Sequence, residues 1–435
     1  EDEDDAGHRV TILADARAAS RPIPPRMLGA MSPRRRRALA ALVVVVATVL
    51  PLTAAEAVLR VSSRFYRPVE YGWRWANSPL RNELPPDAAD ATNDLGLRGR
   101  PIAYGADDVV VLLVGDSQVE AATLPLEAMP EALLEEALAE AAGRAVRVVS
   151  IGSSGWGQDQ QLLALREYFA RWRADAVVVW ATPSNDFFEN TFADRSTDPY
   201  AGPVKPTFLL RDGRLDGPYY AGPRGIDRLL LGQLVRTAIG GGSYSERVRA
   251  DWNRLIPGVD RGPEVADCAD AEPIAQDDFA ANELQLDGSG PYMVRSVDDV
   301  AESRSHFSPR TWPRSPRDEY QVAITRALYD EIGRLADEHG ASLTVAAVTQ
   351  PVREAAARLV ACVVGSDGRE LEVRPTELEL LASVVPDGSM VTVRIDGGYE
   401  NFVSPTDQHL GAVGNPKAMR ALAEELVARG IVPRG

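Results

Sequence analysis

Four short polar motifs in this chain carry residue types that can do chemistry. Gly115-Asp116-Ser117 ends an apolar run (VVVLLVGDSQVE, Val109 to Glu120), and Gly152 to Gly157 reads GSSGWG. Pro183-Ser184-Asn185-Asp186 follows DAVVVWA, and Asp407-Gln408-His409 stands just before the last helical stretch. A serine hydroxyl becomes a nucleophile only when a base within hydrogen-bond reach takes its proton. Of the four histidines, His8 lies in the amino-terminal tail, His306 in a long irregular stretch and His339 at a helix end preceding a strand. His409 remains, and Asp407 two residues ahead can hold its ring and stabilise the imidazolium. Attack on an ester carbonyl creates an oxyanion that needs fixed donors: the backbone N–H groups of Ser117 and Gly155 and the side-chain amide of Asn185 qualify. The candidate catalytic residues are therefore Ser117, His409 and Asp407, with Ser117, Gly155 and Asn185 as the oxyanion hole. Taken singly, each motif also reads as a turn, a helix cap or a glycine-rich loop. Their joint occurrence in this order favours the chemistry.

Secondary structure must gather these motifs. VVVLLV, AVRVVSI, DAVVVWA and SLTVAAV are runs apolar on both faces, as in buried strands. Between them, PLEAMPEALLEEALAEAAG, GQDQQLLALREYFARW and DEYQVAITRALYDEIGRLADEHG read as helices; in the last, Ile324, Leu328, Ile332 and Leu335 repeat at helical spacing. The alternation predicts a mostly parallel sheet covered on both sides, a three-layer α/β/α sandwich. Active sites in such sheets form beyond the carboxyl ends of the strands, and the first three motifs follow the first three strands. For the final helix, Asn415 is expected as cap, Pro416 in the first turn, and Met419, Leu422 and Leu426 on the buried face.

The 435 residues are 45% hydrophobic and 25% charged, as in a folded globular protein. A net charge of −16, with no basic face after the first forty residues, argues against nucleic acid as a partner. Cys268 and Cys362 are the only cysteines and no CxxC or Cys/His cluster occurs, which excludes structural zinc; no metal or cofactor is expected. The two thiols pair as one disulfide outside the cytoplasm or stay reduced and buried. GSSGWG does not match GxGxxG, and no Walker lysine is present.

Residues 1–37 are expected as a disordered cytosolic tail or, because Met31 precedes the arginines, as partly untranslated upstream sequence. Arg34 to Arg37 precede ALAALVVVVATVLPLTAA, so residues 38–59 are expected as a transmembrane anchor or signal segment with the rest outside the cytoplasm. Ala55-Glu56-Ala57 resembles a signal-peptidase site, making secretion after cleavage near Ala57 the alternative, while the resumed apolar AVLRV favours the anchor. Residues 60–108 are expected to form an irregular juxtamembrane segment. Residues 109–195 and 318–435 are expected to form the catalytic domain. Residues 196–317 are an insertion in which only DRLLLGQLVRTAI looks helical, expected to cover the site.

Ser117, Gly155, Asn185 and Asp407 with His409 fall in the order of the blocks that define the SGNH (GDSL-type) hydrolase superfamily, which the chain resembles over about 93–195 and 319–430. NDLGLRG before the first strand, and an apolar segment followed by GW, are similar to membrane-tethered bacterial members. The resemblance implies a flavodoxin-like fold and a covalent acyl-serine. It further implies acyl, in particular acetyl, esters of cell-envelope carbohydrate or lipid as substrates. Hydrolysis and polysaccharide O-acetyl transfer use the same residues and both stay open, as does a catalytically silent glycan-binding module; a flavodoxin-like nucleotide binder rests on topology alone. Two features depart from the family pattern: Pro183 stands where the third block usually has glycine, and the last block is Asp-x-His rather than Asp-x-x-His. Asp116 and Asp186 are expected to brace loops rather than react. No Gly-x-Ser-x-Gly elbow occurs, against an α/β-hydrolase.

Overall fold

The structure is a computed structural model that describes residues 32–62, 92–193, 205–220, 225, 229–239, 250–258, 308–349, 362–364, 370–373, 376–404 and 409–435. The chain divides into two units, Glu1–Leu59 and Arg60–Gly435.

Helix α1 (Pro33–Ser62) begins at Pro33, just ahead of the arginine run and five residues before the expected boundary, because proline fits a first helical turn and arginine is itself a good helix former. Its stretch Pro33–Leu59 is long and apolar enough to cross a membrane, a property that anchors and signal sequences share. Leu42, Val44, Leu50 and Val58 are all exposed, and the hydroxyls of Thr48 and Thr53 donate back to the carbonyls of Val44 and Val49 at 2.8 Å. Such internal satisfaction of polar groups is what a bilayer demands.

In the second unit the chain runs through β1 (Val109–Gly115), α2 (Ser117–Glu120), α3 (Pro130–Ala142), β2 (Val146–Gly152), α4 (Gln158–Phe169), β3 (Ala176–Ala181) and α5 (Pro183–Thr191). After β4 (Pro206–Arg211), β5 (Arg214–Tyr220), α6 (Leu230–Ala238) and β6 (Thr311–Trp312), regularity returns with α7 (Pro316–Glu338) and β7 (Ser342–Thr349). It closes with β8 (Cys362–Val364), β9 (Glu370–Val373), α8 (Glu377–Ala382), β10 (Met390–Arg394) and α9 (Gly414–Ala428).

The main sheet has the order β10-β7-β3-β1-β2, and every pairing in it is parallel. Along β1, Val110, Leu112 and Val114 pack with Leu162, Leu165, Ile324 and Leu328 of α4 and α7. The alternate residues Val109, Val111 and Leu113 pack with Leu134 and Leu138 of α3 and Met419, Leu422 and Leu426 of α9. Two buried faces explain why the strand is apolar at every position, and the result is the expected α/β/α sandwich. From β1 the chain goes to β2 on one side and then to β3 on the other. The crevice for a site therefore opens between the carboxyl ends of β1 and β3.

Several elements differ from the sequence reading. The first helix is split: Leu126–Ala128 is a 3-10 turn and α3 starts at Pro130, because the residue before a proline is driven into the extended region, as Met129 is. The strand β10 goes unnamed in the sequence; it is a sheet edge with Val391 and Val393 buried and Thr392 and Arg394 exposed. Within 196–317, β4 and β5 form an antiparallel hairpin turned by Asp212 (φ 50°) and Gly213 (φ 73°), the positive pair that a tight hairpin requires. Phe208, Leu209, Trp252 and Ile256 from this region enter the core beside α4 and α7, so part of it is core rather than cover. Leu95 and Leu97 are fully buried in the same cluster, so the packed unit begins ahead of Val109, inside the supposed juxtamembrane segment. His8, His306, Cys268 and Asp407 lie outside the described residues.

Candidate functional site

The site is built around the end of β1. A Cβ on Gly115 would stand 2.5 Å from Val119 Cγ2, and one on Gly152 would stand 2.8 Å from Val119 Cβ. Only glycine at both strand ends lets Val119 seat α2 in the notch between β1 and β2. Asp116 caps α2, its Oδ1 accepting the Gln118 N–H at 2.9 Å, and Ser117 is the first residue of the helix, half-buried. His409 Nε2 lies 2.7 Å from Ser117 Oγ, so the structure brings together two residues 292 positions apart.

His409 is held through its backbone. Its carbonyl accepts the Val403 N–H at 2.8 Å beside the Phe402–Leu410 bridge. The next residue, Leu410, is gripped from both sides: its N–H donates to Gln118 Oε1 at 3.1 Å and its carbonyl accepts from Asn415 Nδ2 at 2.6 Å. Asn415 is thus not the cap of α9. The helix begins at Gly414 with Val413 at its cap position, and the amide expected to cap reaches back to the histidine loop instead.

Asn185 lies in the first turn of α5, which Pro183 opens at a position where its fixed φ fits a helix start. Pro183 therefore nucleates the helix that carries Asn185. Asn185 Nδ2 donates to Asp116 Oδ2 at 3.2 Å, while Asp186 Oδ2 accepts the Thr182 N–H at 2.8 Å. Asp116 consequently joins the cap of α2 to Asn185, and one amide hydrogen of Asn185 is left for another acceptor. Gly155 occupies the turn after β2 with φ +70°, a conformation that favours glycine. The preceding Ser154 N–H donates to Glu120 Oε2 at 2.7 Å.

Asp116 and Asp186 are wholly buried. Desolvation raises both above the usual aspartate range, and the Asp116 charge raises Asp186 further. Tyr329 is pushed up by its own burial and then by the two carboxylates. His339 caps the end of α7 with Nδ1 2.9 Å from the Leu335 carbonyl and its ring stacked on Phe169, centroids 4.4 Å apart. It is at the amino edge of the sheet, away from Ser117, as its place before β7 implies. Among the described residues no cluster of His, Cys, Asp or Glu is arranged to hold a metal.

The sequence reading overlooked Arg98, Gln118, Glu120 and the role of Asn415. Arg98 is fully buried and its guanidinium donates to the carbonyls of Glu120 at 2.9 Å, Ala121 at 2.7 Å and Leu124, closing the carboxyl end of α2. Its only signal is its place in NDLGLRG. No protein-family model matches the chain, and no curated protein is significantly similar to it. Fold and site together define an α/β sandwich with a hydrogen-bonded serine–histidine pair at its topological switch point.

Proposed function

We propose that the chain is a serine esterase of the SGNH type, acting outside the cytoplasm on acyl, in particular acetyl, esters of cell-envelope carbohydrate or lipid. The observation that carries this reading is the 2.7 Å contact of His409 Nε2 with Ser117 Oγ at the sheet's carboxyl edge. Ser117 Oγ bonds to the ester carbonyl carbon while its proton passes to His409 Nε2. The carbonyl π pair moves onto oxygen, where the Ser117 and Gly155 N–H groups and the Asn185 amide hold it. Collapse breaks the bond to the alcohol, which leaves with the proton from His409. Water then attacks the acyl-serine by the same route in reverse, releasing the acid and free Ser117. Asp407 is assigned to orient the histidine ring. A sugar hydroxyl in place of water makes the same intermediate an O-acetyl donor. Helix α1 serves as the tether, with Arg34 to Arg37 on the cytoplasmic side.

The test is hydrolysis of p-nitrophenyl acetate by the full chain in detergent micelles, with Ser117→Ala and His409→Ala alongside. Turnover by wild type that falls to background in both folded variants supports the esterase. A wild type no faster than Ser117→Ala sinks it, and mass spectrometry of an oligosaccharide acceptor then separates acetyl transfer from a silent glycan-binding module.

A further inference from the structure

Helix α2 is a single turn, too short to hold itself together. Two of its polar side chains leave it for two different loops. Gln118 Oε1 takes the N–H of Leu410, next to His409, and Glu120 Oε2 takes the N–H of Ser154, next to Gly155. Both side chains are buried, where an acceptor exchanged for an apolar group strands its N–H without water. We infer that Gln118 and Glu120 are positioning residues, Gln118 for the base and Glu120 for the oxyanion loop, so that the turn bearing Ser117 aligns both partners to itself.

The geometry behind this is mechanical. Leu410 is fixed at its N–H by Gln118 of α2 and at its carbonyl by Asn415 of α9, so the backbone carrying His409 is held in register with the turn that carries Ser117. Glu120 does the same for the Ser154–Gly155 peptide. Arg98, bound to the Glu120 and Ala121 carbonyls, fixes the helix from which both arms extend. The catalytic consequence rests on the esterase reading; the alignment itself does not.

Four variants of the full chain in detergent micelles test it. Gln118→Met keeps the length and removes the acceptor, whereas Gln118→Glu restores one. Gln118→Met should lower kcat for p-nitrophenyl acetate by about 10- to 100-fold with KM little changed, the scale expected for a displacement near 1 Å. The inflection of its pH–rate profile should also move, and Gln118→Glu should recover most of the loss. Glu120→Leu should lower kcat on a similar scale of about 10- to 100-fold without moving that inflection. It should also weaken binding of a boronic acid that mimics the oxyanion, and Glu120→Gln should restore both. A Gln118→Met enzyme with wild-type kcat and profile, or a loss that Gln118→Glu does not repair, overturns the assignment. Equal pH profiles and equal boronate affinities for the two apolar variants overturn it as well. If wild type itself fails to turn over the ester, the esterase reading falls, and crystal structures of Gln118→Met and Glu120→Leu decide the alignment alone. Departure of His409 Nε2 from hydrogen-bond reach of Ser117 in the first, and a moved Gly155 in the second, support it; unchanged positions refute it.

Discussion

The two edges of the central sheet each hold a histidine, and the two differ in what the ring touches. At the amino edge, side chains finish the main chain: Asp175 Oδ2 accepts the Val110 N–H at 2.7 Å, and Arg173 Nη2 donates to the carbonyls of Gly105, Ala106 and Asp108. His339 there faces the Leu335 carbonyl, which can only accept, so Nδ1 must carry the proton. At the carboxyl edge, where Gln118 and Glu120 likewise bond main-chain N–H groups, the ring of His409 meets a side chain instead, the hydroxyl of Ser117. A hydroxyl can give up a proton and a carbonyl has none to give. The same residue type therefore serves as scaffold at one edge and as candidate base at the other, and the partner atom decides which.

Substitutions can break this contrast, and the largest effect is expected at the pair itself. Ser117→Ala and His409→Ala should each lower kcat by about 10⁴-fold or more while melting near wild type. Next comes Asn185→Ala, expected to lower kcat by about 10²- to 10³-fold with little change in KM, as for loss of one oxyanion donor; a change confined to KM would assign Asn185 to substrate binding instead. A stability effect follows at Asp186. Burial raises its folded pKa, so the folded state keeps a proton that the unfolded state releases. Stability is then fullest below the ordinary aspartate range and declines as pH rises through the raised folded value. Asp186→Asn retains an oxygen for the Thr182 N–H and removes the titration. In urea unfolding, its stability relative to wild type should rise as the pH climbs above the ordinary aspartate range of about 4; a difference that stays flat with pH would contradict the raised pKa. Smallest of these is His339→Ala, which should leave kcat intact and lower Tm by a few degrees, roughly the loss of 1 kcal/mol. Lost turnover in that variant would erase the distinction between the edges.

What the sequence made legible follows from burial on two sides. β1, β2, β3 and β7 are covered by helices on both faces and read as apolar runs, whereas β10, half-exposed at an edge, shows only five alternating residues. The hairpin carried its signal in Asp212-Gly213, but Pro206 and Pro218 within the same strands read as strand breakers. Ser117, Asn185 and His409 stood out because side-chain chemistry restricts those positions to few residue types. Arg98, Gln118 and Glu120 did not, because their partners are main-chain groups that any residue supplies. Asn415 misled for a related reason: its Oδ1 can accept at a helix cap and its Nδ2 can donate to a carbonyl five residues earlier, and the fold, by starting the helix at Gly414, uses only the donor.

Arg98 precedes β1, and the chain between them passes through the exposed turn at Gly105, Ala106 and Asp107. Covalent continuity through that turn keeps the guanidinium beside the helix that begins at Ser117 at high effective concentration. A protease that cut there would leave Ser117 and His409 on one fragment and Arg98 on another, and the fixing of α2 would become sensitive to dilution. A cut ahead of the first strand would thus reach the Ser117–His409 pair from a distance, through Arg98 and the turn it closes.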